Sequence, residues 1–219
     1  YYDYAFGNPL GRAQGIGYVQ EMLARLNHEL IHNSSTSVNS TLDSNPATFP
    51  TNQAFYADFT HDTVIIAALT ALSVDYFHDA PNLTKVPPSP NRKFIMSKIT
   101  PFGSNLITET IGCTSPGPEP RKNRQVQYTV GQDGYEASRA PFKFVRMRLN
   151  NGIIPLNTIR GGACGDNMSG RADGMCALEN FLASQKNSKA LANFDHACFS
   201  NYTIHDKDIG KDWDGTIFA

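Results

Sequence analysis

Charge of neither sign dominates this sequence: 19 Lys and Arg stand against 20 Asp and Glu, for a formal net charge of -1. The balance excludes bulk attraction to nucleic acid or to an anionic membrane, which need a basic excess. Long apolar runs are missing as well. The longest, around Val64 to Val74, has the length of a buried helix and falls well short of the roughly 20 residues of a bilayer span. No leader-like segment opens the chain. Cysteine is scarce, at four residues (Cys113, Cys164, Cys176 and Cys198), with no close Cys-x-x-Cys pair and no His-Glu-x-x-His helix. A zinc site would have to draw on Cys164, Cys176, His196 and Cys198, a spacing that argues against one. There is no Gly-x-Ser-x-Gly nucleophile elbow. Gly15-x-Gly17 lacks the third glycine of a dinucleotide fingerprint, and Gly161-Gly162-Ala163-Cys164-Gly165 lacks the Lys-Ser/Thr of a phosphate loop, so both read as tight turns. No internal repeat is present. No cofactor and no metal are expected.

What remains is an ordinary globular composition, 40% hydrophobic and 18% charged over 219 residues, enough to bury a sizeable core. Gly11 to Ile31 reads as a long helix with one apolar stripe at Ile16, Val19, Leu23, Leu26 and Leu30. Asn33 to Asn52, interrupted by Pro46 and Pro50, and Lys85 to Arg92, with three prolines, read as surface loops. Phe142 to Leu149 alternates as a strand, Asn151-Gly152 has hairpin-turn chemistry, and Ile153 to Leu156 returns as its partner. Arg146 and Arg148 share one strand face, read as a solvated sheet face ahead of an anion contact. Ala177 to Ser184 reads as a closing helix.

The sharpest chemical signal is His61-Asp62. A strand-like run, Phe55-Tyr56-Ala57-Asp58-Phe59-Thr60, leads into the pair, and an apolar helix follows it, so the pair is expected near the core where a strand turns into a helix. A helix N-terminus offers unpaired N–H groups and partial positive charge to a phosphate-like anion, His61 adds donors, and Asp62 carries a proton. The plainer alternative has Asp62 capping a buried helix beside a satisfied core histidine. Two other His-Asp pairs, His78-Asp79 and His205-Asp206, sit in turn-like or polar surroundings and read as solvated loop residues.

Five Asn-x-Ser/Thr sequons, at Asn33, Asn39, Asn82, Asn167 and Asn201, are glycosylation candidates and point to secretion. In an oxidising compartment the four cysteines permit three pairings.

Asp58-Phe59-Thr60-His61-Asp62-Thr63 resembles the second signature of the histidine acid phosphatases. The stretch Asn39 to Pro50 resembles that of fungal secreted members, the phytases and acid phosphatases. Gly7 to Gly17, Pro101 to Asn105 and Asn151 to Leu156 agree with the same family, so the likeness spans nearly the whole chain but only the C-terminal half of such an enzyme. It implies an α/β fold, a mixed sheet flanked by helices. Residues 1–219 would form the C-terminal part of one phosphatase domain, with no independent second domain, completed by an N-terminal segment. The family's Arg-His-Gly-x-Arg-x-Pro motif occurs nowhere in these residues. The likeness therefore implies a partner fragment that carries the nucleophilic histidine and the phosphate-binding arginines, and residue 1 is expected to mark a cut. Any leader is expected to have gone with that segment.

The resemblance further assigns Asp62 as proton donor, His61 as phosphate-binding, and Thr63 as a substrate-binding candidate. It implies a local Cys164–Cys176 bridge, worth roughly 3 kcal/mol through unfolded-state entropy. Cys113 and Cys198 would link the chain to the partner fragment. The implied reaction is phosphomonoester hydrolysis through a phosphohistidine, extracellular and with an acidic optimum that keeps Asp62 protonated and His61 cationic. Burial would raise the Asp62 pKa and the helix dipole lower it. Substrates would be phytate, other phosphomonoesters, or both. The rival outside enzymology is a secreted glycoprotein that keeps the fold and only binds a ligand.

Overall fold

The computed structural model describes residues 1–116, 139–164 and 174–200. Helix α1 (Pro9–Asn27) begins where the Asn8 side chain accepts the Leu10 N–H at 2.7 Å and Pro9 occupies the first turn, where a missing N–H costs nothing. It ends four residues before the expected Ile31, because His28 adopts a left-handed conformation (φ 58°) that closes the last turn. Ile16, Val19 and Met22 form its buried stripe, with Leu23 and Leu26 half-buried against the same core. Gly15 and Gly17 therefore lie inside a helix and not in the tight turn expected of them.

A short helix α2 (Ser40–Asp43), capped by the Asn39 side chain, breaks the expected loop of residues 33–52. Helix α3 (Asp62–Ala71) is buried from Ile65 onward and packs on α1 within the one hydrophobic core. The Thr70 hydroxyl is satisfied inside it by donating to the Ile66 carbonyl at 2.9 Å. After α4 (Met96–Ile99) comes β1 (Leu106–Cys113), then β2 (Phe142–Leu149), β3 (Gly152–Ile153) and β4 (Cys176–Ala177). Helices α5 (Leu178–Ser184), α6 (Ser188–Ala192) and α7 (Phe194–Phe199) follow.

The described strands form one sheet in the order β1-β2-β3 with β4 also on β2, each pairing antiparallel. The β2–β3 hairpin forms with its turn one residue earlier than expected: Asn150 and Asn151, not Asn151-Gly152, have positive φ (51° and 68°), and the return strand stops at Ile153, short of the expected Leu156, which starts a separate short turn of helix. Val145, Met147 and Leu149 face the core. The register sets Glu109 opposite Arg146, which donates to it at 2.7 Å, with Arg148 at 3.6 Å from the same carboxylate. Those two arginines are thus occupied within the sheet face. The Arg146 hydrogen bond holds the Glu109 carboxyl below its usual range. With helices on a sheet around one core, the α/β class holds. No helix among the described residues is long and apolar enough to cross a membrane.

Asp43 is an anomaly that local sequence does not announce. It is 7% exposed, and its Oδ2 finds no hydrogen-bond partner. Burial raises its pKa against the pull of Arg25, and burial with the nearby Asp43 charge raises that of Glu21. Both shifts mean that the folded state holds protons more tightly than the unfolded one. The stability they contribute is complete below the ordinary carboxyl range and is lost as pH rises through the raised values. Asp43→Asn, which removes the charge and keeps a polar atom in its place, should therefore stabilise the whole protein near pH 7 and much less at pH 4. Thermal melts at the two pH values check this, and an equal shift at both would exclude the charge as the cause.

Candidate active site

Three parts of the chain meet at the N-terminal end of α3. The helix itself is locked to α1 at backbone distance, since a Cβ built on Gly15 would fall inside the Ala67 carbonyl. His61 is the N-cap residue, extended at φ -111° and ψ 165°, and its side chain makes no capping bond. Asp62 is the first helical residue, and its Oδ1 accepts the N–H of Thr63 at 2.8 Å. Both His61 and Asp62 are exposed, and Thr63 is half-buried. The Val64 and Ile65 amides turn back to the His61 carbonyl, at 3.1 and 3.4 Å.

This corrects the expectation that the pair is held near the core. Burial begins at Ile65, and the acid stands one turn outside it. The burial expected around Asp62 is therefore absent. The plainer reading, a capping aspartate beside a satisfied core histidine, also loses its histidine, which is exposed and makes no side-chain capping bond.

The lead-in is the second correction. Residues 55–60 form no strand, and among the described residues their backbone groups make no hydrogen bond. Phe55 and Phe59 are 80% and 97% exposed, so the apolar alternation that predicted a strand points its large side chains outward. The opposite side faces α1: Asp58 is bonded by Arg25, whose guanidinium also lies over the rings of Tyr56 and Phe49 at 4.9 and 5.3 Å. Sequence reading missed Arg25, because nothing along α1 signals a partner 33 residues away.

Cys164 and Cys176 are bridged, with Cα atoms 5.6 Å apart, which removes two members of the competing zinc set. No cluster of metal-ligating side chains occurs among the described residues. Cys113, half-buried, and Cys198, exposed, are free thiols. Asn33, Asn39 and Asn82 are exposed. At Asn82 the side-chain oxygen accepts both the N–H and the hydroxyl of Thr84, at 3.0 and 2.9 Å. Asn167, Asn201 and the His205-Asp206 pair lie outside the described residues. His78 is exposed and stacks on Phe6, while Asp79 accepts the Lys93 N–H at 3.1 Å, a local tether and not a site.

Residues 1–131 match the family model of the histidine phosphatase superfamily (branch 2). Among curated proteins, the chain is 45% identical over 159 residues to "Phytase A" of Aspergillus awamori, covering 72% of this chain and 28% of that protein. It is 32% identical over 201 residues to "Phytase A" of Aspergillus fumigatus, covering 91% and 36%. With "Phytase A" of Neurospora crassa the identity is 30%, covering 91% and 38%. The chain thus spans roughly a third of the length of the curated relatives it matches, as those shares of 28%, 36% and 38% show. Matched over more than half its length by the family and presenting His61-Asp62 at the head of a core helix, the chain belongs to the histidine phosphatase superfamily, branch 2.

Proposed function

We propose that this chain is the acid-bearing part of a secreted phosphomonoester hydrolase that works at acidic pH through a phosphohistidine. The observation that carries the reading is the exposed His61-Asp62 pair at the first turn of α3, in a chain of this superfamily. In the proposed cycle a histidine from a segment outside residues 1–219 attacks phosphorus. The ester P–O bond breaks as the Asp62 carboxyl gives its proton to the leaving oxygen. Water then attacks the phosphohistidine, Asp62 takes back a proton, and phosphate leaves. His61 and Thr63 hold phosphate oxygens beside the positive end of α3. Activity should peak at acidic pH and fall above neutrality.

The partner carrying Arg-His-Gly-x-Arg-x-Pro is proposed to sit where residues 55–60 have no backbone partner among the described residues and Phe55 and Phe59 are exposed, with Cys113 and Cys198 as its covalent links. The name "Phytase A" shared by the relatives supports phytate as a substrate, with other phosphomonoesters included. Exposed sequons at Asn33, Asn39 and Asn82 and the Cys164–Cys176 bridge support secretion.

Phosphate release from a simple aryl phosphate by the intact material is the test. Turnover with an acidic optimum supports hydrolysis. Ligand binding without turnover at any pH would make the protein a binding glycoprotein, and an optimum above neutrality would remove the acid role of Asp62.

A further inference from the structure

Between Ala57 and His61, one contact ties the chain to another element among the described residues. Arg25 of α1 donates to both carboxylate oxygens of Asp58, at 2.6 and 3.3 Å, in a two-pronged pairing that fixes direction as well as distance. The arginine is itself fixed. Its side chain is 16% exposed, Glu21 one turn earlier lies 3.5 Å from it, and the rings of Phe49 and Tyr56 flank its guanidinium. Asp58 stands three residues before His61, a reach of at most about 10 Å of chain. On the far side of the pair, α3 is seated at backbone contact on Gly15 of the same helix α1. Gly15 and Arg25 are ten residues apart, about 15 Å along one helix. The His61-Asp62 turn is thus suspended between two anchors on a single rigid element. Among the described residues its own side chains add little to hold it: His61 makes no capping bond, and Asp62 accepts from its neighbour's amide.

We propose that Arg25, acting through Asp58, is a positioning residue that sets where the His61-Asp62 turn stands relative to the reacting phosphate. This rests on the phosphatase reading for its kinetic consequence, but not for its structural one. Burial pulls the Arg25 pKa down, and the hydrogen bond and charge of Asp58 outweigh it.

The experiment uses the whole protein with Arg25→Met, Arg25→Lys, Asp58→Asn and the double variant Arg25→Met/Asp58→Asn, with Arg146→Met as a control that breaks a comparable ion pair on the sheet. Two readouts are taken. Hydrogen exchange at the Thr63 to Ile65 amides should quicken about tenfold in Arg25→Met, with the Val145 to Leu149 amides unchanged, and Arg146→Met should show the reverse. Turnover of an alkyl phosphate should fall by about tenfold to 10²-fold, more than that of an aryl phosphate with a good leaving group. Arg25→Lys should recover part of the loss, and the double variant should be no worse than either single one. Exchange that is unchanged or quickened everywhere, or equal losses on the two esters, overturns the assignment. A wild-type protein inactive on both esters refutes the phosphatase reading alone, and the exchange result still decides the role of Arg25.

Discussion

Replacing Asp62 with Asn should lower turnover of an alkyl phosphate by about 10²–10⁴-fold, while an aryl phosphate with a good leaving group loses far less. The size of the effect follows from what the carboxyl is asked to do. An alkoxide leaves badly from phosphorus, so a proton delivered in the transition state lowers the barrier for that ester, whereas a stabilised phenolate departs unaided. Asparagine is the informative replacement, because its side-chain oxygen can still accept the Thr63 N–H that Asp62 accepts at 2.8 Å. The start of α3 is kept and only the proton is lost. Steady-state kinetics on the two esters measure the difference directly. Equal losses on both would mean that Asp62 holds the helix or the substrate and gives no proton.

The second large effect concerns the fold beneath that pair. Gly15→Ala should destabilise the protein by about 3 kcal/mol or more, and Gly15→Val should prevent folding. Two terms oppose each other here. Alanine gains roughly 1 kcal/mol of helix propensity over glycine in the interior of α1. Against this, the new methyl would occupy the space of the Ala67 carbonyl, and a backbone atom inside a buried helix has no rotamer by which to move aside. The clash wins, and α1 and α3 must separate, opening the core that Ile16, Val19, Ile66 and Leu69 share. Thermal melts would read a fall in Tm of about 6–12 °C for Gly15→Ala, at roughly 2–4 °C per kcal/mol for a domain of this size. Gln14→Ala, on the exposed side of the same helix, should change Tm little. A Gly15→Ala protein as stable as the parent would contradict the backbone contact between the two helices.

The parts of this fold legible in the sequence are those whose signal is local. The stripe on α1, the apolar run of α3 and the existence of the β2–β3 hairpin each carry their instruction within a dozen residues, although the hairpin turns at Asn150-Asn151 and not at Asn151-Gly152. The run Phe55 to Thr60 fails for the opposite reason. Its alternation is strand-like, but a strand exists only with a partner, and none lies beside it among the described residues. The position of His61-Asp62 was legible as a helix start and misread as buried, because the apolar signal of α3 extends back only to Ile65. Strand β1 went unread since Ile107 and Ile111 share a face with Glu109 and blur the alternation, and the register with β2 is what gives that carboxylate its arginines. Arg25 and the buried Asp43 were invisible for a deeper reason: their roles are set by residues far along the chain, and no local pattern encodes them.

The most direct measurement is a rapid acid-free quench of the whole protein turning over a labelled aryl phosphate, followed by peptide mapping of the bound label. The expected result is an acid-labile, base-stable phosphohistidine in a peptide outside residues 1–219, with none on this chain. Label on any residue from Tyr1 to Ala219, or turnover with an acid-stable phosphoester in place of phosphohistidine, would contradict the division of labour in which this chain supplies the acid and another segment the nucleophile.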